Sequence, residues 1–251
     1  MKEGLIQQLG AVTEELAALS PVGPVRGQLP QMGTQGIASA GDNLHGGDLR
    51  TVVATQDAAL PPIPAGVRLV TVPADVMKSV SPAQTPQGVL AVCAMRPPAL
   101  PETLSGKRYV VLDGVQDPGN VGTILRTADA FRADGLFLVN GCADPWNPKT
   151  VRATMGACFR LPVYETSGAE LAALLEGAGL PLYATALLED TVDIKTADLS
   201  RSAVVIGSEG RGVSRELLEL SQKTLKIPMR ARCESLNAAA AAAIVLWEMG
   251  G

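Results

Sequence analysis

From residue 108 onward, short apolar runs and amphipathic stretches take turns along the chain. RYVVL (108–112), GLFLV (135–139), RLPVY (160–164), LYATA (182–186), AVVIG (203–207) and TLKIP (224–228) are rich in Val, Leu and Ile. Runs of this kind predict strands buried on both faces of a sheet. Between them, apolar positions spaced for one helix face predict helices over 121–132, 148–156, 168–178, 214–221 and 236–249. Strict alternation of strand and helix implies an α/β unit with a parallel sheet covered on both sides. The first part of the chain is less regular. A helix is expected over 5–19, strands over 51–55, 67–72 and 88–95, and a short helix over 74–80, which together make a small α/β domain. Residues 20–47 are rich in Pro, Gly, Ser and Gln and predict no regular element. The proline-rich stretch 96–106 interrupts both helix and sheet hydrogen bonding, so it reads as a linker. The expected domains are 1–97 and 107–251, joined by 98–106.

Composition narrows the chemistry. Hydrophobic residues make up 47% of the chain but aromatic ones only 3%, so the core must be aliphatic. The formal charge of -4 argues against a protein that coats nucleic acid indiscriminately, and any such contact must be local. Two loose basic groups could supply it: Arg126, Arg132, Lys149, Arg152 and Arg160, and then Arg211, Arg215, Lys223, Lys226, Arg230 and Arg232. For any one of these, ordinary solvated surface is the better reading. Cys93, Cys142, Cys158 and Cys233 show no C-x-x-C spacing, and the chain opens without a basic and then apolar leader. Reduced thiols in a cytoplasmic protein are therefore expected. His45 is the only histidine, which leaves no basis for a histidine-based zinc site or acyl-transfer triad, and no metal is expected. The Ala-rich stretch from Ala238 falls short of a bilayer span, so no membrane association is expected either.

Three loops concentrate the unusual residues. The first, Asp113-Gly-Val-Gln-Asp-Pro-Gly-Asn-Val-Gly122, leads from a strand into a helix that contains Arg126-Thr-Ala. On that helix Val121, Ile124, Leu125, Ala128 and Phe131 share one face and Arg126 lies opposite, so Arg126 is not core. A Walker loop does not fit, because Asn120-Val121 follows Gly119 where Lys-Ser or Lys-Thr would be needed, and the G-x-G-x-x-G spacing is absent from this turn. The second loop, Ile206-Gly-Ser-Glu-Gly-Arg-Gly-Val-Ser214, holds three glycines that permit close backbone approach, with Ser214 placed as a helix cap. Glu209 is either a solvated turn carboxylate or a group that positions a hydroxyl or an arginine. The third runs from Ile227-Pro-Met to Ser235-Leu-Asn237, where Ser235 or Asn237 could simply cap the last helix.

In this order the three loops resemble the motifs of the SpoU/TrmH family of RNA 2'-O-ribose methyltransferases, within the SPOUT class. Arg152-Ala-Thr-Met-Gly-Ala and Phe159-Arg-Leu-Pro-Val also resemble the family pattern. The resemblance implies a parallel-sheet domain with a deep trefoil knot, S-adenosylmethionine as cofactor, an RNA substrate and a homodimer. It implies cofactor contacts from Thr185, Ala186 and Leu187, from Ile206, Gly207, Glu209 and Gly210, and from Ile227, Met229, Ser235 and Leu236. Arg126 would activate the ribose hydroxyl, either as a base or by stabilising the developing alkoxide. Asn120, Glu209, Ser235 and Asn237 would hold it and the ribose in place. Arg126, Arg132, Arg152 and Arg160 would meet RNA. Val76-Met-Lys-Ser-Val-Ser and Thr85-Pro-Gln-Gly-Val are similar to the small ribosomal-protein-like RNA-binding domain that often precedes this unit, which favours ribosomal over transfer RNA. A non-catalytic RNA-binding protein of the same fold and a base-methylating relative are the alternatives.

Overall fold

The computed structural model describes residues 46–60, 62–81, 85–96, 98–188, 190–230 and 235–250. The helix expected over 5–19, most of the stretch 20–47, His45, Arg232 and Cys233 lie outside them.

Val, Leu and Ile runs form a seven-stranded sheet in which every pairing is parallel. Its strands are β4 (Arg108–Asp113), β5 (Gly135–Val139), β6 (Val163–Glu165), β7 (Leu182–Thr185), β8 (Val192–Asp193), β9 (Ser202–Gly207) and β10 (Lys223–Lys226), in the order β6-β5-β4-β9-β7-β10-β8. Five consecutive residues of β4 and all of β5 are buried, as expected of central strands covered on both faces. Helices α2 (Pro118–Ala130), α3 (Pro148–Thr154), α4 (Gly168–Ala178), α5 (Arg215–Leu220) and α6 (Ala238–Gly250) cover them. One core, containing Val110, Leu112, Ile124, Val204 and Val245, lies on one side of the sheet, and a second, containing Val111, Phe137, Leu171, Val205 and Leu217, on the other.

The helix ends explain themselves in sequence terms. Asp117 caps α2 by accepting the N–H of Asn120 at 2.8 Å, with Pro118 in the first turn where its missing N–H costs nothing. Helix α2 therefore starts three residues earlier than the apolar spacing alone suggests. Ser167 and Glu170 form a capping box on α4, and Gly179 closes it in the left-handed region at φ 59°.

The upstream unit is a three-stranded sheet of order β2-β1-β3, with β1 (Gly46–Thr55) parallel to β2 (Arg68–Val72) and antiparallel to β3 (Val89–Arg96), and with α1 (Ala74–Val80) beside it. Strand β1 is longer than predicted because pairing with β3 continues across a register shift between Leu49 and Thr51. Its two faces have different partners. Val53, Val72, Leu90 and Val92 pack with Met77 of α1, whereas Leu49, Val52, Val89 and Ala91 belong to the same core as Val151 of α3 and Phe159 just beyond it. Residues 98–107 contain no helix or strand, yet Leu100 and Leu104 pack against the second core. The strand expected over 160–164 is shorter and later, because Ala157–Phe159 forms a 3-10 turn ahead of it. Two-residue β8 is too short for a hydrophobic pattern to reveal.

Candidate functional site

All three motif loops leave the carboxyl ends of strands. Loop 113–117 follows β4, loop 207–214 follows β9, and the segment from 227 follows β10, with β4, β9, β7 and β10 adjacent in the sheet. This edge is where open α/β folds bind ligands.

Hydrogen bonds join one residue from each motif, Asn120 lying in the first turn of α2. Asn120 Nδ2 donates to Glu209 Oε1, and Asn237 Nδ2 donates to Asn120 Oδ1 at 3.1 Å. Asn237 Oδ1 accepts the N–H groups of Ala239 and Ala240, so the capping role and the site role coexist in one side chain. Residues 89 and 117 positions apart are thereby brought onto the two ends of one amide. Arg126 is exposed on α2, opposite buried Ile124, Leu125 and Ala128, and its guanidinium makes no hydrogen bond or ion pair among the described residues. Ser235 is likewise exposed. Neither is bonded to the Asn120 cluster.

The residues expected to hold the cofactor occupy neighbouring strand ends. Thr185 closes β7 and its hydroxyl donates to the carbonyl of Val205 at 2.9 Å, while the Ala186 N–H reaches the Leu225 carbonyl at 3.0 Å. Ile206 is buried in β9, and Ile227 and Met229 are half-buried just beyond β10. Leu187 and Leu236 expose 62% and 36% of their surface, a high value for leucine and the kind of apolar surface a purine can cover. Gly207 is closed against its own loop: a Cβ there would lie 2.2 Å from the Gly212 carbonyl carbon. At Gly210 a Cβ would meet nothing within 4 Å, so bare backbone faces open space. Apolar side chains and accessible backbone on three adjacent strand ends fit a nucleoside carrying an amino-acid tail.

Residues 107–247, more than half of the chain, match the SpoU rRNA Methylase family. The chain belongs to this family. The 23S rRNA (guanosine(2553)-2'-O)-methyltransferase RlmP of Bacillus subtilis is 32% identical over 206 residues, 82% of each chain. An AdoMet-bound rRNA methyltransferase from Sinorhizobium meliloti has a TM-score of 0.76 at 32% identity, covering 88% of this chain and 86% of its own. The SpoU methyltransferase AviRb from Streptomyces viridochromogenes, in complex with AdoMet, has a TM-score of 0.71 at 29% identity over 87% of each chain.

Around the SpoU motifs, the structure separates the arginines. Arg132 and Arg152 are exposed, Arg132 in the left-handed region at φ 58° just past α2. Arg160 differs: its Nη2 and Nε bind Asp129 at 2.6 and 3.0 Å, so its guanidinium is engaged within the fold. Lys149, in the basic group but assigned no role from sequence, bonds Asp117 at 2.9 Å. That hydrogen bond, helped by the Asn120 N–H, holds the Asp117 carboxyl below the usual carboxylate range. Asp113 and Asn140 were also missed. Asp113 opens the first motif, and Asn140-Gly141 directly after an apolar strand was the available signal for a special turn. Among the described residues no group of three or more His, Cys, Asp or Glu is placed to hold a metal, and no helix is long and apolar enough to cross a membrane.

Proposed function

We propose that this chain is a homodimeric enzyme of the cytoplasm that transfers a methyl group from S-adenosylmethionine to a ribose 2'-hydroxyl of ribosomal RNA. The observation that carries the reading is the Asn120, Glu209 and Asn237 cluster, which joins the three SpoU motif loops beside the strand ends suited to the cofactor. When bound, the cofactor supplies an electrophilic methyl on a sulfonium centre. The protein's tasks are then to orient the ribose oxygen in line with that methyl and to accommodate loss of its proton. Asn120, Asn237, Glu209 and Ser235 orient the ribose and the arginine. Arg126 offers a cation with five donors, and we assign it to the negative charge that develops on the 2'-oxygen. Thr185, Ala186, Leu187, Ile206, Gly207, Glu209, Gly210, Ile227, Met229, Ser235 and Leu236 hold the cofactor.

The finer architecture follows the same reading. A trefoil knot is supported by the placement of β10 between the earlier strands β7 and β8, with α6 then returning to pack on α2 and β9. Dimerisation is supported by α6 itself, whose sequence AAAAAAIVLWEM is apolar almost all round although only Ala238, Ala242, Val245, Leu246 and Met249 are buried. Residues 1–97 serve as the RNA-substrate domain, 98–106 as linker and 107–251 as the methyltransferase domain. Arg126, Arg132 and Arg152 form the RNA face, with Arg160 supporting it through Asp129.

The test is incubation with methyl-labelled S-adenosylmethionine and unmodified ribosomal or transfer RNA, with Arg126→Ala as control. Label recovered as a 2'-O-methylnucleoside from ribosomal RNA, and lost in the variant, is expected. An active Arg126→Ala enzyme would overturn the assignment of Arg126, label on a base would move the chain to a base-methylating class, and cofactor binding without transfer to either RNA would favour an RNA-binding protein.

A further inference from the structure

Asp113 ends β4 and is only 3% exposed. A carboxylate so deeply buried is tolerated when hydrogen bonds satisfy it. Its Oδ2 accepts the backbone N–H of Ser214 at 2.5 Å, and its Oδ1 accepts Asn140 Nδ2 at 2.8 Å; the same amide reaches Ser214 Oγ at 3.2 Å. Neither partner is a cation, so the carboxylate acts here as a joint between backbone segments. Asn140 is held at φ 56°, in the left-handed region that Asn tolerates better than most residues.

The location of this joint gives it a role. Gly207 is the register partner of Asp113 across the β4–β9 pair, and Ser214 ends on the Asp113 carboxylate. Both ends of the loop carrying Glu209 are thus fixed at one residue, while Ser208 and Gly212 exchange backbone bonds of 3.2 and 2.8 Å inside it. In the other direction the chain leaves Asp113 through Gly114, at φ 64°, towards Asp117 and Asn120. Asp113 is therefore the common origin of both partners in the Glu209–Asn120 bond.

We infer that Asp113, with Asn140, is a positioning residue that clamps the Glu209 loop against the Asn120 loop and so sets the geometry of methyl transfer. The inference rests on the methyltransferase reading for its consequence in rate. Asn140→Asp sets two carboxylates together, whereas in Asp113→Asn the Asn140 amide can turn over so that its Oδ1 accepts from the new amide. The double exchange restores one donor facing one acceptor and leaves the Ser214 N–H an acceptor.

Hydrogen exchange at residues 208–212, thermal unfolding, and kcat and KM for methyl transfer to ribosomal RNA are measured for the three variants. Asn140→Asp is expected to speed exchange in the loop about tenfold or more with little change in β9 and to lower kcat about tenfold or more, and Asp113→Asn alone to change both little. The double exchange is expected to recover most of both. A folded double variant no better than Asn140→Asp, or an Asn140→Asp variant with wild-type exchange in the loop, would overturn the inference. If the wild-type protein moves no methyl to ribosomal RNA, the reaction reading fails, but exchange in the loop still decides the clamp. Should Asn140→Asp not fold, Asn140→Ala, which removes an exposed amide, gives the same loop readout, with faster exchange expected and unchanged exchange overturning the clamp.

Discussion

Replacing Asn237 by Asp separates the two jobs of one side chain. The acceptor Oδ1 caps α6 through Ala239 at 2.9 Å and Ala240 at 3.3 Å, and the donor Nδ2 reaches Asn120 Oδ1 at 3.1 Å. Aspartate is as good a cap as asparagine, and its charge suits the positive end of a helix, so stability should hold. The donor is lost, however, and Asn120 Oδ1 then faces a carboxylate. Asn120 could answer only by turning its Nδ2 away from Glu209, so two acids would compete for one amide. A lost neutral hydrogen bond costs about 1 kcal/mol and one to a charged group about 1.5–3, with solvent at this exposed site reducing both. Since each ~1.4 kcal/mol is tenfold in rate, kcat/KM in Asn237→Asp should fall roughly tenfold or more. Asn237→Ala should lose as much rate and, in addition, the cap, worth about 1 kcal/mol or roughly 2–4 °C in Tm for a chain this size. Initial rates of methyl transfer and thermal unfolding of the two variants decide the matter. An Asn237→Asp enzyme with wild-type rate would show that the bond to Asn120 is idle, and one as unstable as Asn237→Ala would refute the capping argument.

Four further outcomes are expected. Gly207→Ala forces a Cβ to within 2.2 Å of the Gly212 carbonyl carbon, so calorimetry should find S-adenosylmethionine binding severely weakened, with about 1–3 kcal/mol of stability lost to overpacking. Arg132→Ala and Arg152→Ala should each weaken RNA binding uniformly across sequences and reduce the slope of log K against log salt by about one, as filter binding over a salt series would show. The Asp117 carboxyl titrates below its usual range because of Lys149 and the Asn120 N–H, so its contribution is present above the ordinary carboxylate range and is lost as pH falls through the lowered folded value; Lys149→Met should move that titration upward in an NMR experiment. Burial pushes the Cys158 thiol up to about 11 and raises Cys142 as well, so peptide mapping after alkylation of the native protein at pH 8 should find both unmodified.

How far the sequence led depended on the range of the physics involved. Buried parallel strands declare themselves locally, so the runs at 108–112, 135–139 and 203–207 gave β4, β5 and β9 almost to the residue. Helix α2 was misplaced at its start because the apolar stripe begins at Val121, whereas the helix begins with the Asp117-Pro118 cap. The three motif loops were identifiable from residue type and order. What no local pattern gives is partnership: that Asn120 serves Glu209 and Asn237 at once, or that Arg160 is taken by Asp129, depends on strand order. Asp113 and Asn140 escaped for the same reason, since a buried Asp is recognised by what surrounds it.

The pairing of β4 with β9 has a further cost, which falls during synthesis. Arg108 finds its register partner in Ser202, whereas Tyr109 finds its other neighbour already at Gly135. As the chain emerges from a ribosome, β4 can join β5 and β6 early, but its second edge stays bare until residues 202–207 have been made. Non-local parallel pairing is slow to form, and an uncovered apolar edge is prone to pair with the wrong chain. A nascent chain halted before β9 is therefore exposed to wrong pairing along β4, and the wait for residues 202–207 is built into its strand order.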